Sequence, residues 1–190
     1  MVIASRARLA DARKILRKRG NPSLLNRYRL DRQRLACRTD RRALILAILQ
    51  FLAILLTALA LVPGGAHAMA APNKMRLPQE RYLAVQQIYR GWALAGIAPV
   101  AAMVADFSLA FSLRGAPAAF WPILAGGLCV AATLVLFFIR IWPANQATDN
   151  WVSTPPDWAA LRTRWEYGHI ANAALTLIGL GLVVAGVLAV

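Results

Sequence analysis

The sequence predicts an all-α polytopic membrane protein: a four-transmembrane-helix bundle with extended outer helix ends and a basic N-terminal arm. Three observations carry this. Hydrophobic residues make up 59% of the 190 and charged residues only 16%, whereas soluble domains sit near half and a quarter. Four apolar stretches reach the ~20 residues needed to cross a ~30 Å hydrocarbon core. Charge is also segregated, since residues 1–42 hold 14 of the 22 basic side chains and 3 of the 8 acidic ones. Mean hydropathy is +0.51. A soluble monomer of this composition would leave too much apolar surface in water.

The arm, residues 1–42, is arginine-rich and read as cytoplasmic. Leu9, Ile15, Leu16, Leu24 and Leu25 can line one side of a short helix broken by Gly20-Asn21-Pro22. Its expected partner is anionic lipid. A nucleic-acid role is not expected, because no base-reading module accompanies the charge.

Residues 43–190 form the expected four-helix transmembrane domain. The spans are Ala43–Val62, roughly Gly91–Leu113, about Ala116–Ile139, and Ile170–Val190. Backbone groups in lipid must be satisfied within the segment, so each span is a helix. Arg38, Arg41 and Arg42 abut the first span, which places both termini in the cytoplasm of a bacterial inner membrane. The Arg114–Pro117 link is then cytoplasmic, and the links 63–90 and 140–169 lie outside. A competing reading takes the first span as a cleaved leader ending at Ala66-His67-Ala68. The 20-residue apolar run exceeds the ~7–15 residues of a leader core, so retention is expected.

The outer links are read as helical. Pro78-Gln79-Glu80 has the form of a helix start, and this helix is expected to run straight into span two through Tyr82, Gln86 and Tyr89. Thr154-Pro155-Pro156-Asp157 reads as an amino-terminal cap, with Thr154 accepting the first free amides. From Trp158 the helix should run unbroken into span four.

On that last helix Trp158, Leu161, Arg162, Trp165, Glu166 and His169 share one face. Arg162 and Glu166 stand at i,i+4, and Glu166 and His169 at i,i+3. The stripe continues through Asn172 and Thr176, and a polar stripe entering a bilayer must face protein or a cavity. It is either a helix clasp or the wall of a site. Span parity brings the two histidines, His67 and His169, to the same membrane face. Such a pair suits acid–base work. It would also suit haem, or a metal shared with carboxylates, although no cofactor is expected. Trp92, Trp142, Trp151, Trp158 and Trp165 map to the same interface, as an aromatic belt or as the lining of a pocket for a flat apolar ligand. Asp106, an intramembrane carboxylate, is expected to be satisfied by Ser108, Thr133 or Arg114. Gly179, Gly181 and Gly186 point to close helix packing. There is no CxxC, and Cys37 and Cys129 lie far apart, which excludes a zinc ribbon or thiol relay.

Three blocks carry a resemblance. Gly65-Ala66-His67, Asn73-Lys74, Gln86 and Tyr89-Arg90-Gly91-Trp92 form the first. Asn145-Gln146-Ala147-Thr148 with Asn150-Trp151 form the second. Trp158, Leu161-Arg162, Trp165-Glu166-Tyr167 and His169 form the third. Over residues 43–190 they resemble a group of four-helix bacterial membrane proteins classed with anthrone oxygenases. The resemblance implies a four-span bundle and suggests oxidation of a planar phenolic by dioxygen. His169, oriented by Glu166, would be the base, Arg162 or Asn145 would stabilise the oxyanion, and His67 would assist. Trp165, Trp158, Trp92, Tyr89, Asn145, Asn150 and Trp151 would bind the ligand. The alternative is a non-catalytic membrane subunit or scaffold, whose Trp/Arg/Glu stripe packs against helices, a partner protein or a second copy.

Overall fold

The computed structural model describes residues 22–190, and every regular element among them is helical. They are α1 (Pro22–Lys74), α2 (Gln79–Gln86), α3 (Ile97–Ser112), α4 (Pro117–Leu136), α5 (Trp142–Ala147) and α6 (Trp158–Leu188). Two short 3₁₀ turns, Gln87–Tyr89 and Trp92–Gly96, join α2 to α3, and a π turn, Phe137–Ile141, joins α4 to α5. Four helical stretches are long and apolar enough to cross a membrane: Arg29–Lys74, Trp92–Ser112, Pro117–Ala147 and Trp158–Leu188. The fold is therefore all-α with four candidate spans.

The chain divides into two units, Met1–Ile45 and Leu46–Val190. In the first, the described side chains are almost all exposed. Thr39 bonds back to the Leu35 carbonyl at 2.9 Å, a local bond available to a hydroxyl on any helix. The expected break at Gly20-Asn21 and the side chains of Leu9, Ile15, Leu16, Leu24 and Leu25 lie outside the described residues.

In the second unit the buried positions of α1 are Ala53, Thr57, Ala60, Gly64, His67, Ala71 and Lys74. They alternate in steps of four and three, the 3.5-residue repeat of a helix that keeps one seam toward its neighbours. All but two of these side chains are small, which lets helices approach without solvophobic drive. The helix continues past Val62, through Pro63 and Pro72. Each proline removes one internal hydrogen bond, a defect that packed transmembrane helices tolerate. The sequence reading that ended this helix near Pro63-Gly64-Gly65 is thus too short, and Ala66-His67-Ala68 lies inside α1.

The link to α3 also departs from expectation. No helix runs unbroken from Pro78 into span two. Gly91 adopts a left-handed conformation, φ +89°, and splits the path into the two 3₁₀ turns. A glycine carries no Cβ to oppose that conformation. At α6 the helix does begin at Trp158, but no side chain caps it. Its first bonds come from the backbone, with Trp158 N–H reaching the Pro155 carbonyl at 3.0 Å. Thr154 does not cap.

α4 packs closely against both α6 and α3. Gly126 faces the Gly179 carbonyl, and Gly186 faces Ile123 and the Ala119 carbonyl. Gly181 faces open space, so its expected packing role is not realised. Asp106 is fully buried on α3, and Thr57 of α1 donates to its two carboxylate oxygens at 3.2 and 3.4 Å. The three expected partners are otherwise engaged: Ser108 bonds the Val104 carbonyl, Thr133 the Val130 carbonyl and Arg114 the Phe111 carbonyl.

A methyl group at Gly126 would lie 2.7 Å from Val183 Cγ2 and 2.8 Å from the Gly179 carbonyl oxygen. Gly126→Ala is therefore expected to lose about 1–3 kcal/mol. Gly181→Ala should be neutral or gain up to ~1 kcal/mol from helix propensity. Thermal unfolding in detergent, followed by far-UV circular dichroism, compares the two.

Candidate functional site

Two local irregularities prepare the end of the bundle at which α1 finishes and α6 begins. The first is the π turn, whose wider loop leaves the Ile139 carbonyl to accept from the Arg164 guanidinium. It also drives Ile141 against Gly168, where a Cβ would come within 2.9 Å of Ile141 Cγ1. The second follows α5. Asp149, Asn150 and Trp151 all have positive φ, at 47°, 54° and 67°. Asp and Asn tolerate this region, but a tryptophan there costs roughly 1–2 kcal/mol. Thr148 holds the turn. Its hydroxyl donates to the Ala144 carbonyl at 2.8 Å and accepts from Trp151 N–H at 3.1 Å, and its carbonyl accepts from Val152 and Ser153. The result is a buried Trp151, edge-on to Tyr82 and Trp165 with ring centres 5.3 and 5.6 Å away.

Beneath these rings lies a buried polar chain. Lys74 Nζ on α1 is 2.8 Å from Glu166 Oε1 on α6, and both side chains are almost wholly buried. Tyr82 of α2 donates to the same oxygen at 2.9 Å, and the Gln86 amide donates to the Tyr82 hydroxyl. Lys74 also stands 3.4 Å from His67 Nδ1 and about 5 Å over the rings of Tyr89 and Trp165, where ring quadrupoles favour a cation. Burial first, and then the charge of Glu166, raises the Tyr82 phenol above its ordinary range, and the same causes raise Tyr89. The Tyr82 hydroxyl acts as a donor, to Glu166.

His67 sits one heptad before Lys74 on the same seam. Its ring lies 4.1 Å from that of His169, 4.2 Å from Tyr89 and 4.7 Å from Trp165. Trp165 is in turn 4.3 Å from His169 and donates its indole N–H to Asn145 Oδ1 at 2.7 Å. The imidazoles that span parity placed at one face are thus in ring contact.

They border a cavity of about 1090 Å³ between the helices, just above the usual ~300–1,000 Å³ of small-molecule pockets. Of the residues singled out in the sequence, His67, His169, Trp165, Trp92, Tyr89, Asn145, Asn150 and Trp151 line it. Its deeper wall includes Asn172, Thr176 and Thr133. A smaller hollow of about 290 Å³, lined by Val62, Pro63, Gly91, Trp92 and Ala95, shares four of those residues with it.

Arg162, Glu166 and Trp158 are not in the cavity wall. The helical face they share is real, but its local pairing is not the expected one. Arg162 donates to the Leu77 carbonyl at 3.0 Å and stacks over Trp158 and Tyr82. Glu166 turns to Lys74 and Tyr82 rather than to Arg162 or His169. A full opposite charge at 2.8 Å outweighs a weak i,i+4 or i,i+3 partner on the same helix. The N-terminal half of the stripe is therefore a clasp within the chain. Glu166 does not orient His169, and Arg162 does not face a ligand. Among the indoles, Trp151 and Trp165 point inward, while Trp92 and Trp142 remain partly exposed, so pocket and belt are both present.

Lys74 belongs to this buried cluster but is not among the expected site residues. Its signal was the 3.5-residue seam, which predicts burial at position 74 once the helix is carried through Pro63 and Pro72.

An imidazole nitrogen lies ~2.0–2.1 Å from a bound zinc. Two rings on one metal therefore have centres roughly 5 Å apart, and rings on opposite faces of a haem iron roughly 6 Å. At 4.1 Å His67 and His169 touch and leave no place for an ion between them, so this arrangement does not fit haem or a metal bridged by the two. No group of three metal-ligating side chains converges among the described residues. Comparison of the chain with family models, with curated proteins and with solved structures finds no match in any of the three.

Removing one partner of the buried ion pair strands the other. Glu166→Leu is expected to destabilise the protein by about 3–5 kcal/mol, and adding Lys74→Met to it should recover most of the loss. Denaturation of the two variants in matched detergent gives the comparison.

Proposed function

We propose that this integral membrane protein binds a planar apolar aromatic ligand, phenolic or quinone-like, in the cavity between its helices. The chemistry proposed is an anthrone-oxygenase-like oxidation by dioxygen. The observation that carries the reading is the pair of contacting imidazoles set in the wall of a mainly apolar, tryptophan-bearing cavity large enough for a fused-ring ligand.

His169 is the proposed base. It takes the acidic proton of a phenolic tautomer and leaves an electron-rich anion, a step of general base catalysis. Dioxygen then oxidises that anion. One oxygen atom becomes the new ring carbonyl and the other leaves as water with the two hydrogens lost from carbon, so an anthrone plus dioxygen gives an anthraquinone plus water. The Asn145 carbonyl oxygen is engaged by Trp165, which leaves its amide N–H₂ to stabilise the developing oxyanion. In this reading Arg162 and Glu166 build the wall behind the site and do not touch the ligand. The resemblance in the sequence agrees with a reaction that needs only an anion and dioxygen.

The topology proposed with it follows the basic residues. The arm lies on the cytoplasmic side of a bacterial inner membrane against anionic lipid, and the cavity opens toward the other face.

Purified protein incubated aerobically with anthrone is expected to form anthraquinone, followed by visible absorbance. His169→Ala should slow turnover by at least about a hundredfold. Equal rates in the variant and the wild type would remove His169 from the mechanism. Absence of tryptophan quenching by any fused-ring aromatic would remove the ligand site itself.

A further inference from the structure

We infer that Lys74 is a positioning residue that fixes His67 with its proton on Nε2, making His67 a hydrogen-bond donor for a carbonyl or phenolate oxygen in the cavity. The inference rests on the ligand site proposed above and assigns its polarity.

Lys74 Nζ lies 2.8 Å from Glu166 Oε1, a distance typical of a charge-assisted bond. An ammonium has three donors and no acceptor. One donor goes to Glu166, and another faces His67 Nδ1 at 3.4 Å. Nδ1 can meet that donor only with its lone pair, so a neutral ring carries its proton on Nε2. The nitrogen that an imidazole turns to its support decides what the other nitrogen offers.

The surroundings hold this arrangement in place. Lys74 is confined between the faces of Tyr89 and Trp165. Tyr82 donates to the same Glu166 oxygen and is itself held by Gln86. Lys74 is not in the cavity wall, whereas His67 is, so the lysine acts on a ligand only through the imidazole. His169 has no such cation bonded to it and is free to act as the acceptor. The two rings, 4.1 Å apart, then have opposite duties: His67 donates to oxygen and His169 takes a proton. The ligand class follows. A fused-ring molecule with a carbonyl or ionised phenol oxygen is favoured over the hydrocarbon of the same shape.

The protein has two histidines, so selective nitrogen-15 histidine labelling of the full chain gives two ring systems. His169→Ala removes one and assigns both. In the wild type His67 is expected to show a protonated Nε2 and a bare Nδ1. In the Lys74→Met/Glu166→Leu double variant, which leaves no unpaired charge, the Nδ1–H form should appear. Lys74→Arg, which keeps a cationic donor, should preserve the wild-type pattern. Binding of 1,4-naphthoquinone, read by tryptophan quenching, should weaken about tenfold in the double variant, the loss of one hydrogen bond. Binding of anthracene should not change. A proton on Nδ1, or on both nitrogens, of wild-type His67 would overturn the inference without need of any variant. So would an equal loss for naphthoquinone and anthracene. If neither probe binds the wild type, the ligand reading fails, and the tautomer measurement still decides what Lys74 does.

Discussion

Lys74 and Glu166 meet where water does not reach, and neither can be left alone there. That requirement ties the end of α1 to the N-terminal half of α6. Tyr82 and Gln86 of α2 join through the same carboxylate, so the short helix between spans is anchored by polarity rather than by length. Trp151, Trp165 and Tyr82 then close over the pair, and their packing lowers the dielectric that makes the pair strong. His67 and His169 are carried along, one heptad before the lysine and one turn after the glutamate. Lys74 and Glu166 thus set the framework within which the rings touch.

The remaining architecture serves to bring helices close where no function intervenes and to hold them apart where a cavity is needed. Toward one end, Gly126, Gly179 and Gly186 let α4 and α6 approach backbone to backbone. Toward the other, the π turn and the left-handed turn at 149–151 move bulky rings to the cavity border. Small residues and irregular backbone are complementary devices. One removes volume between helices, and the other redirects it.

Much of this was legible in the sequence. Apolar length fixed the four spans, and parity alone placed His67 with His169, because each span crosses once whatever the orientation. The face of α6 from Trp158 to His169 followed from its 3.6-residue spacing. What was not legible had physical reasons. Pro63 and Pro72 are helix-ending signals in water, but lipid and neighbouring helices keep α1 intact through them. Nothing local to Lys74 announces its partner, which is 92 residues away in the chain. Arg162 and Glu166 looked like a local pair because spacing cannot reveal a stronger tertiary competitor. Asp106 likewise found Thr57 on α1 rather than Ser108, Thr133 or Arg114. At Gly91 the chain turned where helical spacing gave no warning, and only glycine's tolerance of positive φ marks the place.

That turn has a consequence for how the protein meets a hydrophobic molecule. The hollow beside Gly91 is bounded by Val62 and Trp92, and the neighbouring Leu94 and Ile97 are largely exposed. Side chains of this kind are solvated by acyl chains. A compound of the proposed class would therefore be drawn from the oil phase rather than from the aqueous one. Occupancy would be set by its partition coefficient and the lipid-to-protein ratio. Apparent affinities measured against bulk concentration would then change with the amount of bilayer present, even though no contact in the cavity had changed.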